Sequence, residues 1–303
     1  MTELAERIVD MMNSIHGTHS GFRAVHAKGA CCRGSFKATR EAAAVCIAPH
    51  LQGEDVAVTV RFSSGSGKPT RADGARDERG MAVKFHLPDG STTDIVSLTL
   101  PVFFVKTPDD FLEFLTAQQL DPETGKPDLA RVAAFVDTHP EAQLAMGFLM
   151  FSMSPASFAA CTFNGIHAFR MSAPDGTSRF VRYKWVPEST PPGLTDEETR
   201  ALGKSYLHDE LVRRLEGGSV SFELELQIAA EGDDPNDPTT PWPEEREVVR
   251  AGTMTLREHA ADSCDGMIFD PGRVIDGIER SDDPILHARS DAYSVSFARR
   301  TKG

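Results

Sequence analysis

Cysteine is scarce and shows no pairing pattern: five residues among 303 (Cys31, Cys32, Cys46, Cys161 and Cys264), an odd number with no C-x-x-C spacing. A disulfide framework and a cysteine-based zinc site are therefore not expected, and the reading is a reduced, cytoplasmic protein. No apolar run approaches the ~18 residues of a membrane span. A secretory leader is not in evidence either. Residues 1–17 mix Glu3, Glu6, Arg7 and Asp10 with Ile8, Val9, Met11 and Met12, as an amphipathic helix closed by Gly17 would. Positive charge is also lacking: 32 Lys and Arg against 45 Asp and Glu leave −13, with the basic residues scattered singly or in pairs. Such a surface repels a phosphate backbone and speaks against nucleic acid as a partner. There is no internal repeat and no low-complexity tract. What remains, 40% hydrophobic and 25% charged, is ordinary globular usage in a chain long enough for a large core.

Strand patterns dominate what is there. Val56, Val58, Val60 and Phe62 alternate with Thr59, Arg61 and Ser63, the period of a half-buried strand. Residues 81–87 and 94–100 flank Pro88-Asp89-Gly90, and residues 167–171 and 180–186 flank Pro174-Asp175-Gly176, which are two hairpin signals. Residues 220–228 alternate Phe222, Leu224, Leu226 and Ile228 against Glu223, Glu225 and Gln227; residues 253–256 are a weaker strand. Helices are expected after Thr107-Pro108, over 129–136 and 141–151, from the Thr195 capping box to Arg214, and from Asp283-Pro284 to Arg300, with a turn in 155–163. Residues 231–245, rich in Asp and Pro, read as a solvated loop. Helices interrupt the strand series instead of alternating with it. The class is α+β, a single domain over 1–303 with an antiparallel meander that closes as a barrel or packs as a sandwich. In a closed barrel, ligands commonly sit in the interior or its mouth.

Two local groups point to chemistry. Arg289, Tyr293 and Arg300 fall within roughly 60° of one helical face. Arginines beside a tyrosine favour its phenolate, and tyrosinate is one of few axial ligands for haem iron. A surface helix with a core tyrosine and a basic end fits the same residues. His26, in Arg23-Ala24-Val25-His26-Ala27-Lys28-Gly29, is by itself an ordinary structural histidine.

Taken together and in order, the segments resemble the catalase superfamily. Its patterns R-x-x-H-A-K-G, V-R-F-S, R-D-x-R-G-x-A-V-K-F and P-V-F-F are met at residues 23–29, 60–63, 76–85 and 101–104. Its terminal R-x-x-x-Y, with an arginine seven residues on, is met by Arg289, Tyr293 and Arg300. Residues 164–169 and 241–244 add support. The resemblance implies a catalase-like barrel with surrounding helices, in a minimal member without a long N-terminal arm or a C-terminal helical extension. It implies a haem b whose iron is held by Tyr293 beside Arg289, with His26 as distal acid and base. Arg23, Arg61 and Arg300 would meet the propionates, and Phe104 and Phe111, with Phe62 as a weaker candidate, would cover the porphyrin. Asp77 matches a channel-side aspartate. One departure is implied: where the family carries V-G-N-N-T, this chain has Val96-Ser97-Leu98-Thr99-Leu100, which puts Thr99, backed by Ser63, in the place of a distal amide.

The function expected is a haem peroxidase that reduces hydrogen peroxide or an organic hydroperoxide with a small organic reductant. Peroxide disproportionation, hydroperoxide isomerisation of the allene oxide synthase kind, and a non-enzymatic haem- or lipid-binding barrel stand as alternatives. The donor, the homo-oligomeric state and the role of Cys31-Cys32 are left open.

Overall fold

The computed structural model describes residues 3–262 and 264–301. Its strands are β1 Gly29–Ala38, β2 Asp55–Ser64, β3 Arg79–His86, β4 Thr92–Leu98, β5 Phe163–Ser172, β6 Ser178–Pro187, β7 Val220–Ile228, β8 Val248–Ala260 and β9 Ile278–Arg280. The helices are α1 Glu3–His16, α2 Arg40–Val45, α3 Pro108–Ala117, α4 Leu129–Thr138, α5 Ala142–Phe151, α6 Asp196–Leu202, α7 Tyr206–Gly217 and α8 Pro284–Arg300. The sheet runs β4-β3-β2-β1-β8-β7-β6-β5, every pair antiparallel, and β4 meets β5 at Leu98 and Asn164. The meander thus closes into an eight-strand barrel, with β9 on the remaining edge of β5. Both expected hairpins form, their glycines left-handed (Gly90, φ 84°; Gly176, φ 85°), which L side chains avoid. Asp89 and Asp175 brace the turns by accepting from the backbone of Ser91 and Thr177.

The alternation seen in β2 and β7 selects the barrel interior. Val56, Val58, Val60 and Phe62 face inward with Phe222, Leu224 and Leu226, joining Phe36, Phe85, Phe163 and Trp185 in one buried core. Phe62 stacks on Phe158 at 5.3 Å and lies 6.0 Å from Phe222. The interior is filled with side chains, so the barrel is a packed core and not a vessel, and Phe62 belongs to that core instead of covering a ligand. The opposite face of β2, outside the barrel, also buries its polar residues Thr59, Arg61 and Ser63.

Some expectations shift. The helix from Thr195 is two helices: Gly203 (φ 90°) ends α6, and α7 begins where Asp73 accepts from Leu207 N. The loop at 231–245 is pinned, not free, because Arg182 donates to the Asp237 and Thr240 carbonyls and lies over the Trp242 ring at 4.4 Å. Cys31 and Cys264 are disulfide-bonded, against the expectation of no disulfide, with Cα atoms 5.7 Å apart. The cause is topological. Cys31 pairs across the sheet with Ala260 at the end of β8, which brings a residue 233 positions away alongside it. Cys32 is a separate buried thiol, pushed up to about 12 by burial.

Candidate active site

Between the outer face of β2–β4 and helices α1, α3 and α8 lies a cavity of about 720 Å³. The barrel contributes Arg61, Ser63, Gly80, Ala82 and Val96, and α8 contributes Arg289, Tyr293 and Arg300. Packing of α1 (Ile8, Val9, Met12) against Ala292 and Val295 of α8 and Leu112 and Leu115 of α3 holds this helical wall together.

His26 reaches the cavity from a loop and takes up a left-handed backbone (φ 54°), strained for a side chain with a Cβ. Backbone bonds from His26 N to Gly65 O (2.8 Å) and from Ala27 N to Ser66 O (3.0 Å) hold it there. Its Nδ1 lies 3.0 Å from Ser63 Oγ. A Cβ on Gly80 would fall 3.1 Å from the imidazole and 2.8 Å from Ser63 Oγ, so the glycine of the R-G-x-A segment gives the ring its seat. Burial lowers the His26 pKa to about 4; Asp77 opposes this and Arg61, Arg289 and Arg23 add to it. The ring is neutral at pH 7, as a proton acceptor must be.

Tyr293 stands on α8 with Arg289 Nη2 donating to its phenolic oxygen at 2.8 Å. Arg289 Nη1 is 2.8 Å from His167 Nε2, and His167 Nδ1 is 2.6 Å from Asp283 Oδ2. A guanidinium only donates, so Nε2 of His167 accepts and Nδ1 carries the proton given to Asp283. Burial lowers the His167 pKa in accord with this neutral tautomer. Asp283 also caps α8, accepting from Ile285 N (2.8 Å) and Leu286 N (3.3 Å). A chain of fixed polarity thus runs from a helix cap to the tyrosine oxygen. Neither His167 nor Asp283 was singled out for the site in the sequence, although the former lay in a supporting motif and the latter marked the start of the last helix.

At the other end of the cavity the three arginines converge. Arg23 pairs with Asp265 at 2.6 Å and donates to the Cys264 and Met267 carbonyls; Arg300 donates to the Asp265 and Met267 carbonyls; Arg61 lies 3.9 Å from Asp265 and donates to Ala27 O. A Cβ on Gly29 would come within 2.6 Å of the Arg61 guanidinium, so the last residue of R-x-x-H-A-K-G leaves that side chain its passage. Burial lowers the pKa of all three, and Arg23 and Arg61 repel one another. Three guanidiniums around one carboxylate leave an excess of positive charge suited to further carboxylates. Phe104 and Phe111 line the cavity 5.7 Å apart, part of an aromatic cluster with Phe103 and Phe114.

One sequence-predicted residue does not join the others. Thr99 Oγ1 accepts from Arg79 N at 2.9 Å, and Thr99 is not among the residues lining the cavity. The lining residues from this stretch are Val96, Ser97, Leu98 and Leu100, which leaves Thr99 off the wall and puts an apolar side chain, Leu98, on it beside Ser97. Asp77 does line the cavity, held by Ser66 N (2.9 Å) and facing Arg71 at 3.7 Å.

The fit to haem follows from these groups: a largely apolar space with aromatic walls, a tyrosine oxygen fixed by a cation, a neutral histidine on the same cavity, and an arginine cluster that already holds a carboxylate. The catalase family model matches residues 8–303. The chain belongs to the catalase family. It is 42% identical to the catalase-related peroxidase of Mycolicibacterium paratuberculosis, over 98% of this chain and 94% of that one. It is 34% identical to the catalase-related peroxidase of Synechococcus elongatus (98% and 89%). Against Catalase-2 of Bacillus subtilis the match is 32%, over 93% of this chain but 44% of the other. A crystal structure of a fungal catalase superposes with a TM-score of 0.85 at 27% identity, covering 98% of this chain, which spans 63% of the fungal one. This catalase-family chain therefore carries the barrel, the histidine segment and the tyrosine helix in about the length of its catalase-related relatives.

Proposed function

We propose that the protein is a haem-dependent peroxidase that reduces hydrogen peroxide or an organic hydroperoxide with electrons from a small organic donor. The observation that carries the reading is Tyr293, its oxygen held by Arg289, on the same cavity as neutral His26. Tyr293 would hold the iron of a haem b, Arg23, Arg61 and Arg300 its propionates, and Phe104 and Phe111 its faces. When bound, ferric haem supplies the electrons that break the peroxide bond. The protein's part is proton handling and placement. His26 Nε2 takes the proton of the near peroxide oxygen and returns it to the departing one, which then leaves as water or alcohol. Ser63 orients the ring through Nδ1. Arg289 fixes the tyrosine oxygen as an acceptor, and the His167–Asp283 pair fixes Arg289.

Peroxidase chemistry is favoured over disproportionation by Leu98, which puts an apolar side chain on the cavity wall where the family's V-G-N-N-T segment carries an amide. The test is an absorbance spectrum of the purified protein, followed by oxygen evolution and donor oxidation on one sample. A Soret band with donor oxidation exceeding oxygen release is expected. Absence of the band ends the haem reading, and vigorous oxygen release with negligible donor oxidation makes the protein a catalase.

A further inference from the structure

Glu78 fills the variable position of the R-D-x-R-G segment, and neither the sequence pattern nor the mechanism above gives it a task. It lines the same cavity, and its Oε1 lies 3.9 Å from His26 Nε2. That gap is too long for a hydrogen bond, yet it leaves room for one water oxygen, or for the two bonded oxygens of a peroxide, at about 2.8 Å from the groups they face. The other imidazole nitrogen is committed to Ser63, so Nε2 and the Glu78 carboxyl are the pair that face the space where a peroxide would lie. The backbone is shaped around this carboxyl: a Cβ on Gly65 would fall 2.0 Å from Glu78 Oε1. We propose that Glu78 is a second acid–base residue of the distal cavity, engaging one peroxide oxygen while His26 engages the other.

The electrostatics fit that role. Burial, then the neighbouring Asp77 carboxylate, by its charge and by a hydrogen bond between the two side chains, raise the Glu78 pKa to about 8, with Arg79 opposing. Asp77 and Arg79 flank it on its own segment, His26 faces it, Arg71 stands beyond Asp77, and Lys68 and Arg76 lie on the same cavity. At neutral pH the side chain is a carboxylic acid, able to donate where a carboxylate could only accept. The step then balances. His26 Nε2 takes the proton of the near oxygen; Glu78 gives its proton to the departing oxygen as the O–O bond breaks, releasing water or alcohol. The proton on His26 returns to Glu78 through one bridging water. The two electrons are those of the ferric haem of the proposed function, on which this inference rests.

Fluoride binding to the haem-loaded ferric protein, followed by absorbance, reads the acid without turnover. In wild type, fluoride affinity is flat from pH 6 to near 8 and then falls about tenfold per unit as Glu78 loses its proton. Glu78→Gln abolishes that break, and its stopped-flow rate with peroxide at pH 7 falls at least about tenfold. Glu78→Asp, which keeps the acid but withdraws it, retains a break while binding fluoride more weakly. A break persisting unchanged in Glu78→Gln, or equal fluoride affinity in all three proteins, overturns the role of Glu78 alone. A wild-type protein without any haem absorbance response overturns the haem reading and the inference with it.

Discussion

Replacing Asp283 tests the chain that ends at Tyr293, and its cost is worked from two separate bonds. Asp283→Ala removes the cap on Ile285 N and Leu286 N, worth about 1–2 kcal/mol. It also leaves the His167 Nδ1–H without its acceptor in a place where both residues are at most 2% exposed, worth about 1–3 kcal/mol. The expected loss is about 2–5 kcal/mol. With an unfolding entropy of about 2.1 cal/mol/K per residue, a 303-residue chain loses about 3–8 °C of Tm. Asp283→Asn separates the two bonds. Its carbonyl can still cap α8, but its amide then faces His167 as a donor. The imidazole cannot turn its tautomer to suit, because Nε2 would then present a proton to Arg289. Stability in thermal and urea unfolding should therefore fall in the order wild type, Asn, Ala. Near-ultraviolet circular dichroism should report a changed tyrosine environment in both variants. An Asn variant as stable as wild type, with an unchanged tyrosine signal, would refute the assigned polarity.

Other expectations follow from the same geometry. Tyr293→Phe should lose haem retention or its tyrosinate-type spectrum; unchanged haem content would remove Tyr293 as the ligand. His26→Ala should keep haem but slow the stopped-flow reaction with peroxide by about 10²-fold, and a near-normal rate would place the proton transfer elsewhere. Leu98→Asn should raise oxygen evolution relative to donor oxidation, whereas Thr99→Asn should leave the ratio unchanged because Thr99 is turned to Arg79 N; the opposite pattern would restore Thr99 to the site. Burial lowers the pKa of His26 and His50 to about 4 and also lowers that of His167. Between the usual histidine value and about 4 the unfolded chain binds more protons, so stability is lost as pH falls through that window, by up to about 3 kcal/mol each for His26 and His50. Urea midpoints that are flat from pH 7 to 4 would contradict this.

The strands with strict alternation were legible because one face of each fills the barrel, as Phe222, Leu224 and Leu226 do. β1 was not legible: Gly29, Cys31, Cys32 and Gly34 carry no period-two signal, because its second face lies under the 264–269 loop. Gly203, with its positive φ, marked the break in the helix after Thr195, but the run of helix formers around it concealed the signal. Of the cavity's lining, His26, Tyr293, the three arginines and the two phenylalanines were readable from motif spacing. Thr99 was brought to the site by the resemblance, but it lies just past the end of β4 and turns its hydroxyl to Arg79 N. Glu78 and Asp265 were invisible for another reason: their partners, His26 and Arg23, are set by loops and not by periodicity.

The filled barrel leaves the site dependent on distant parts of the chain. Since the cavity lies outside the barrel, its wall exists only when α1 has docked on α8, and those helices are separated by almost the whole described sequence. Contacts so distant along the chain must offset a large loop-closure entropy. The tyrosine and the histidine therefore share a walled cavity only when the two ends of the described sequence are packed together, so a change confined to the apolar face of α1 can open a site whose chemistry is carried by other segments.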